Sequence, residues 1–169
     1  MQFTTLLFAS FATYACVAAA PAKGKAAATA TSGTTIVMKE VGGIAGNECL
    51  TFRNNGEMVD AACVNTSADR QVTPSTIGGE NVLLVQRTFT AGFRPDLVGV
   101  QACVGFNGTD FLAMSCNDSA FQAVSLQNNI LTSGSACQSG HDSKAQLTVD
   151  TAGKTCVAVT TTNVTPSTT

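Results

Sequence analysis

Six of the seven cysteines in this 169-residue chain offer the most definite chemistry that spacing can reveal. They are Cys49, Cys63, Cys103, Cys116, Cys137 and Cys156; the seventh, Cys16, lies in an apolar N-terminal stretch. No C-x-x-C occurs and the only histidine is His141, which argues against a zinc site and for disulfides. Six cysteines admit fifteen pairings, and sequence alone does not choose among them. Local spacing prefers one set. Cys49 and Cys63 flank a hairpin turning at Asn54-Asn55-Gly56, and Cys103 and Cys116 flank another turning near Asn107-Gly108-Thr109-Asp110. Cys137 is then left with Cys156. In the second hairpin a four-residue loop, Gly108 to Phe111, sets Asn107 opposite Leu112 and Cys103 opposite Cys116. The even Cys49–Cys63 separation requires an odd-length loop or a bulge. Each bridge is worth about 3 kcal/mol from loop-closure entropy.

Other reactive types carry less. His141-Asp142-Ser143 has the residue types of a hydrolytic triad, but three consecutive residues do not converge on one site. A lone histidine in a Gly/Ser loop is expected to sit in an exposed turn. Glu40, Glu48, Glu57, Asp60, Asp96 and Asp110 supply carboxylates for a glycosidase-type pair, without a motif. The chain has no Trp, and its one Tyr, Tyr14, belongs to the N-terminal segment, so the usual aromatic platform for a sugar is missing. No catalytic residue, cofactor or metal ligand is assigned, and a non-enzyme is expected. Four N-x-[ST] sequons, at Asn65, Asn107, Asn117 and Asn163, point to a glycoprotein. The run Phe89-Thr90-Ala91-Gly92-Phe93-Arg94-Pro95-Asp96 has two readings. Phe89, Phe93 and Arg94 are hot-spot chemistry for a partner-binding loop. Alternatively both phenylalanines enter the core and Arg94 pairs with Asp96, which is the preferred reading.

The elements that must position these groups are strands. Residues 1–19 read as a secretory signal peptide, with Val17 and Ala19 before the cleavage point. The chain is thereby expected to be exported to an oxidising space, secreted or associated with the cell wall. Residues 20–34 are an Ala/Thr/Gly leader, 35–159 the folded domain, and 160–169 a Ser/Thr/Pro tail suited to O-glycosylation. The domain contains short β-prone runs at 35–38, 82–85, 97–100, 111–114, 145–149 and 156–159, separated by Gly, Asn and Pro turns. One short helix is expected near Ser67 to Val72, ending near Pro74. The expected class is all-β: a single disulfide-braced domain, a β-trefoil or another barrel or sandwich. Charged residues make up only 12 % of the chain, with net charge -2 and no basic stripe, so nucleic acid is not an expected partner. No later stretch is apolar enough to insert in a membrane.

The two hairpins also superimpose as sequences. Cys49-Leu50-Thr51-Phe52 matches Cys103-Val104-Gly105-Phe106, and each second cysteine, Cys63 or Cys116, is followed by an Asn/Ser/Thr cluster and then Gln71 or Gln122. This pattern resembles the repeats of ricin B-type β-trefoil lectins, with Thr73 and Val124 where the Q-x-W of that family has Trp. More broadly, the signal peptide, leader, six cysteines and Ser/Thr tail resemble small secreted cysteine-rich proteins of fungi. These resemblances imply a secreted binding protein at the cell wall or surface, with weak carbohydrate binding. The alternative is an effector or hydrolase inhibitor that binds an extracellular protein.

Overall fold

β-branched and alternating apolar residues dominate from Thr35 onward, and the chain responds with strands. The computed structural model describes residues 31–167; the signal segment 1–19 and the leader up to residue 30 lie outside them. The strands are β1 Thr31–Ser32, β2 Ile36–Ile44, β3 Asn47–Phe52, β4 Met58–Ala61, β5 Gln71–Ile77, β6 Glu80–Val85 and β7 Ala102–Phe106. They continue as β8 Phe111–Ser115, β9 Ser125–Gln127, β10 Ile130–Ser133, β11 Ala136–His141, β12 Leu147–Asp150 and β13 Val159–Asn163. Among the described residues, helix is limited to two 3-10 turns, Ala68–Arg70 and Pro95–Leu97. The class is all-β, as expected.

One sheet runs β4-β3-β2-β5-β6-β7-β8, with β1 added to β5 and β13 to β2; a second runs β12-β11-β10-β9. The first almost closes on itself. Glu57, just before β4, bridges Leu112 in β8, and the Ala113 amide donates to the Gly56 carbonyl at 2.8 Å. β2 is where the sheet branches. Val37 pairs with both Thr162 and Gln71, and Lys39 with both Thr160 and Cys49. β3 and β5 therefore share one edge of β2, while β13 takes the other. Pro74 falls within β5, where helix termination was expected. It pairs with Leu83, and on the other edge it sits between the β2 pairing at Gln71–Val72 and the β1 pairing at Ser75–Thr76. There its missing N–H leaves no bond broken.

Between the sheets lies an apolar core in which Met38, Leu50, Phe52, Leu83, Val104 and Leu131 are at most 2 % exposed. Burying each such side chain stabilises by roughly 1.5–3 kcal/mol. Phe106 and Phe111 meet edge to face at 5.5 Å, a favourable aromatic geometry.

All three preferred disulfides form: Cys49–Cys63, Cys103–Cys116 and Cys137–Cys156, with Cα separations of 5.0, 5.1 and 5.6 Å. The first hairpin has the odd loop its spacing requires, Phe52 pairing with Met58 across five residues. The second differs from expectation. Its loop is Asn107 to Asp110, Phe106 pairs with Phe111, and Cys103 faces Met114 and not Cys116. The cause is Asn107, whose Oδ1 accepts from the amides of Thr109 and Asp110 at 2.9 and 2.8 Å. That Asx turn starts the loop at Asn107. In both hairpins the second cysteine consequently lies two residues past the partner of the first (Ala61 then Cys63, Met114 then Cys116).

Other boundaries move as well. Residues 97–100 form no strand: Pro95 opens a 3-10 turn and Gly99 takes φ +68°, leaving Val98 and Val100 exposed. Of residues 156–159 only Val159 is in a strand, the first residue of β13. The sheet passes both domain limits, since Thr31–Ser32 of the leader pair with β5 and Thr160–Asn163 of the tail pair with β2. Threonine's β-branching suits such strands. Gln71, fully buried, also accepts from the Ser167 amide at 2.8 Å and holds the tail against the domain.

Gly56 tests the barrel closure. It has φ +86°, and a Cβ there would collide with the Arg94 guanidinium, which donates to the Ala113 carbonyl at 2.9 Å. Gly56→Ala is expected to lower stability by about 1–3 kcal/mol, read by urea denaturation. An unchanged midpoint would show that this contact does not hold the seam.

Candidate functional site

Strand alternation places two carboxylates where core residues belong. Met38 and Glu40 share one face of β2, and Met58 and Asp60 share one face of β4; all four are buried. The Glu40 and Asp60 side chains are 2 % and 0 % exposed. From the second sheet, Gln138 and His141 of β11 meet them. The Gln138 Nε2 donates to Glu40 Oε2 at 2.9 Å, and His141 Nδ1 lies 2.7 Å from Glu40 Oε1. Three residues apart, Gln138 and His141 would point to opposite faces of a regular strand. A bulge between Gln138 and Gly140 inserts one residue and turns both toward Glu40. Gly140 carries φ +111° there.

Asp60 is the anomalous member. Its amide donates to the Ala145 carbonyl at 2.8 Å, and its Oδ2 lies 3.2 Å from His141 Nδ1, off the hydrogen-bond direction. Neither carboxylate oxygen accepts a hydrogen bond from any group among the described residues. Burial above all, then the neighbouring Glu40 charge, pushes its pKa up to about 6 from the ordinary 3.8; Glu48 adds to the rise and His141 opposes it. His141 is thus partly buried against two acids, not in the exposed turn expected for it. Asp142 does serve the turn: its Oδ1 accepts from the amides of Lys144 and Gln146. Ser143 is exposed, so no triad forms. Both acids are sealed from solvent, and of the three residues only His141 reaches it.

The open site is a cleft of about 580 Å³ beside the barrel seam. Three turns build it: the β3–β4 loop with Asn55 and Glu57, the β7–β8 loop with Asn107 and Asp110, and the β11–β12 hairpin with Asp142 and Gln146. Its apolar lining is the half-buried Leu112 and Val149 with the nearly buried Met58, Phe111 and Leu147. Glu57 is held below the usual carboxylate range, first by Asn55, against some desolvation, then by Gln146 and Arg53. Asp142 is likewise lowered, by the backbone amides of Gln146 and Lys144. A glycosidase acid needs the opposite shift, toward neutral pH.

The remaining expected sites separate. Asn65, Asn107 and Asn117 lie in exposed turns, while Asn163, expected in a loop, ends β13, also exposed. Phe89 is buried under the Arg87 guanidinium, 5.1 Å above its ring. Phe93, expected in the core, is 59 % exposed. Arg94 pairs with Asp96 at 2.6 Å, as preferred. Glu40, Asp60 and His141 went unassigned because 20 and 81 residues separate them; the one available signal was Met-x-acid on two alternating strands. No protein-family profile, curated protein or solved structure matches this chain.

The Asp60 shift carries a pH signature. A folded-state pKa above the unfolded one stabilises fully below pH 3.8, and that contribution is lost as pH rises through about 6. Asp60→Asn has no such loss. In a chelating buffer the variant is expected to gain about 2 kcal/mol relative to the parent between pH 4 and pH 7. Urea denaturation across that range measures it, and a pH-independent difference would contradict the assignment.

Proposed function

We propose that this is a secreted, non-enzymatic binding protein of the cell wall or surface, whose cleft takes a neutral, hydroxyl-rich saccharide. The observation that carries the reading is the cleft lining: carboxylates held ionised and amide side chains, arranged over an apolar floor. Sugar hydroxyls donate to carboxylates and bond amides both ways, while the apolar face of a pyranose needs a floor. The volume falls within the range of small-ligand sites. Carboxylates with depressed pKa values bind and do not protonate a leaving group, which favours binding over hydrolysis. Phe111 is nearly buried, so no broad aromatic face adds to the affinity and weak binding follows. Asn107 stands at the rim, so a glycan there borders the ligand's place.

The test is a pull-down of the oxidised, secreted protein on chitin, β-glucan and cellulose, followed by titration with soluble oligosaccharides. Saturable, competable binding is expected. Glu57→Gln and Asp142→Asn keep the shape of the loops and are each expected to weaken it about tenfold. No binding to any of these glycans, with or without the Asn107 glycan, would overturn the reading.

A second reading rests on a different observation. Phe93, Val98 and Val100 are all exposed within eight residues of one loop, which is hot-spot material for a protein partner. Phe93 also lines an open groove with Phe52, Val59 and Arg87. Crosslinking in culture fluid that is lost in Phe93→Ser, with glycan binding absent, would favour it.

A further inference from the structure

We infer that Glu40, Asp60 and His141 form a binding site for one divalent first-row cation, which staples β2 and β4 of the first sheet to β11 of the second. The site is separate from the saccharide cleft and stands without it. One oxygen from each acid and the imidazole Nδ1 all lie within 4.8 Å of one another. The two contacts to Nδ1, at 2.7 and 3.2 Å, are close to the separation of roughly 3.3 Å between ligand atoms in a tetrahedral site with ~2.0 Å bonds. Small side-chain shifts complete the geometry.

Two independent features point to a cation. The first is Asp60, whose side chain is fully buried and aimed into the cluster, with both oxygens lacking a hydrogen-bond donor among the described residues. A buried carboxylate without a partner is costly, and a metal ion is one of the few groups that satisfies it. The second is the surrounding frame. Gln138 donates to the distal oxygen of Glu40 at 2.9 Å and leaves Oε1 pointing at the cluster, the orientation by which outer partners fix a metal-ligating carboxylate.

The donor set is two carboxylate oxygens and one imidazole nitrogen, which suits Zn²⁺ or Mn²⁺ over calcium or copper(I). Two negative charges match a divalent ion. Ligation needs Nδ1 free of a proton, so the bound ion replaces the His141–Glu40 hydrogen bond. His141, 23 % exposed at its side chain, provides the way in from solvent. Because the ligands come from both sheets, the ion is structural: its binding energy adds to the folded state alone.

The test uses the full secreted, oxidised protein, stripped with EDTA and returned to chelator-free buffer. Titration with ZnCl₂ by calorimetry is expected to give one equivalent bound at micromolar or tighter affinity, with a raised melting temperature. Co²⁺ in place of Zn²⁺ is expected to give visible absorption from a low-symmetry site. Asp60→Asn, which removes a buried charge and keeps the shape, should fold and lose affinity more than ~100-fold, as should His141→Asn. Gln138→Leu should lose about 10–100-fold, and the exposed Asp118→Asn should match the parent. Binding no tighter than about 1 mM, or binding that Asp60→Asn leaves unchanged, would overturn the proposal. In the first case protons alone neutralise the acids; in the second the ion sits on the surface.

Discussion

The structure turns on two carboxylates buried within reach of a single imidazole where its two sheets meet. Removing an acid from water costs several kcal/mol unless opposite charge and hydrogen bonds replace the water. Glu40 has a hydrogen-bond partner at each oxygen, His141 and Gln138. Asp60 has none among the described residues. A small domain tolerates such a defect only where other interactions exceed it or a ligand removes it. The three disulfides, at roughly 3 kcal/mol each, supply a reserve on that scale. Two of them brace elements of the junction, the β3–β4 hairpin that carries Asp60 and strand β11 that ends in His141, and the third closes the β7–β8 hairpin.

The local chemistry around the junction follows from this requirement. Glu40 lies on the branching strand β2, where it pairs with Val159 of β13 and directly follows Lys39, which pairs with Cys49 of β3. Asp60 is tied through its amide to Ala145, which adopts φ +62°, unusual for a residue with a Cβ. The turn around Asp142 holds that conformation through its amide bonds. The β11 bulge then aims Gln138 and His141 the same way. Each of these devices departs from a regular strand or turn, and together they converge on one point. Departures from local regularity that cluster in space mark a site under functional or structural demand.

What was legible in the sequence was whatever depends on short-range chemistry. The cysteine hairpins were, because a turn and two flanking strands are local events. The register of the second was not, because Asn107 can cap a turn or pair across it, and only its side-chain bonds decide. Leu97-Val98-Gly99-Val100 looks like a strand by composition, but Pro95 and Gly99 impose a turn and the two valines face solvent. β5 was hidden by Pro74, which is tolerated only because its two edge partners leave a gap at that residue. The junction was hidden for a different reason. Residues 40, 60 and 141 meet through sheet topology, and a single histidine beside Asp142 and Ser143 suggested a surface turn. The acids were visible as candidates, but alternation was not used to ask which of them must face inward. The missing C-x-x-C and the lone histidine spoke against zinc, but that argument weighs only cysteine- and histidine-rich ligand sets and overlooks two carboxylates joined to one imidazole.

The cleft and the junction are separate in space but not in construction. Asp142 and Gln146 line the cleft, and they are the residues that close the turn following His141. Gln146 also bonds Glu57 at 3.3 Å, and Glu57 sits at the seam where β4 meets β8. Fixing His141 against Glu40 and Asp60 therefore fixes the β11–β12 hairpin, and with it two of the polar groups that line the cleft. A cleft built from three loops would ordinarily lose binding energy to ordering them. Here one wall is anchored to the junction, one is anchored by Arg94 bonding Asn55 and Ala113, and one is capped by Asn107 itself. The buried acids thus help to hold the walls of the cleft in one geometry.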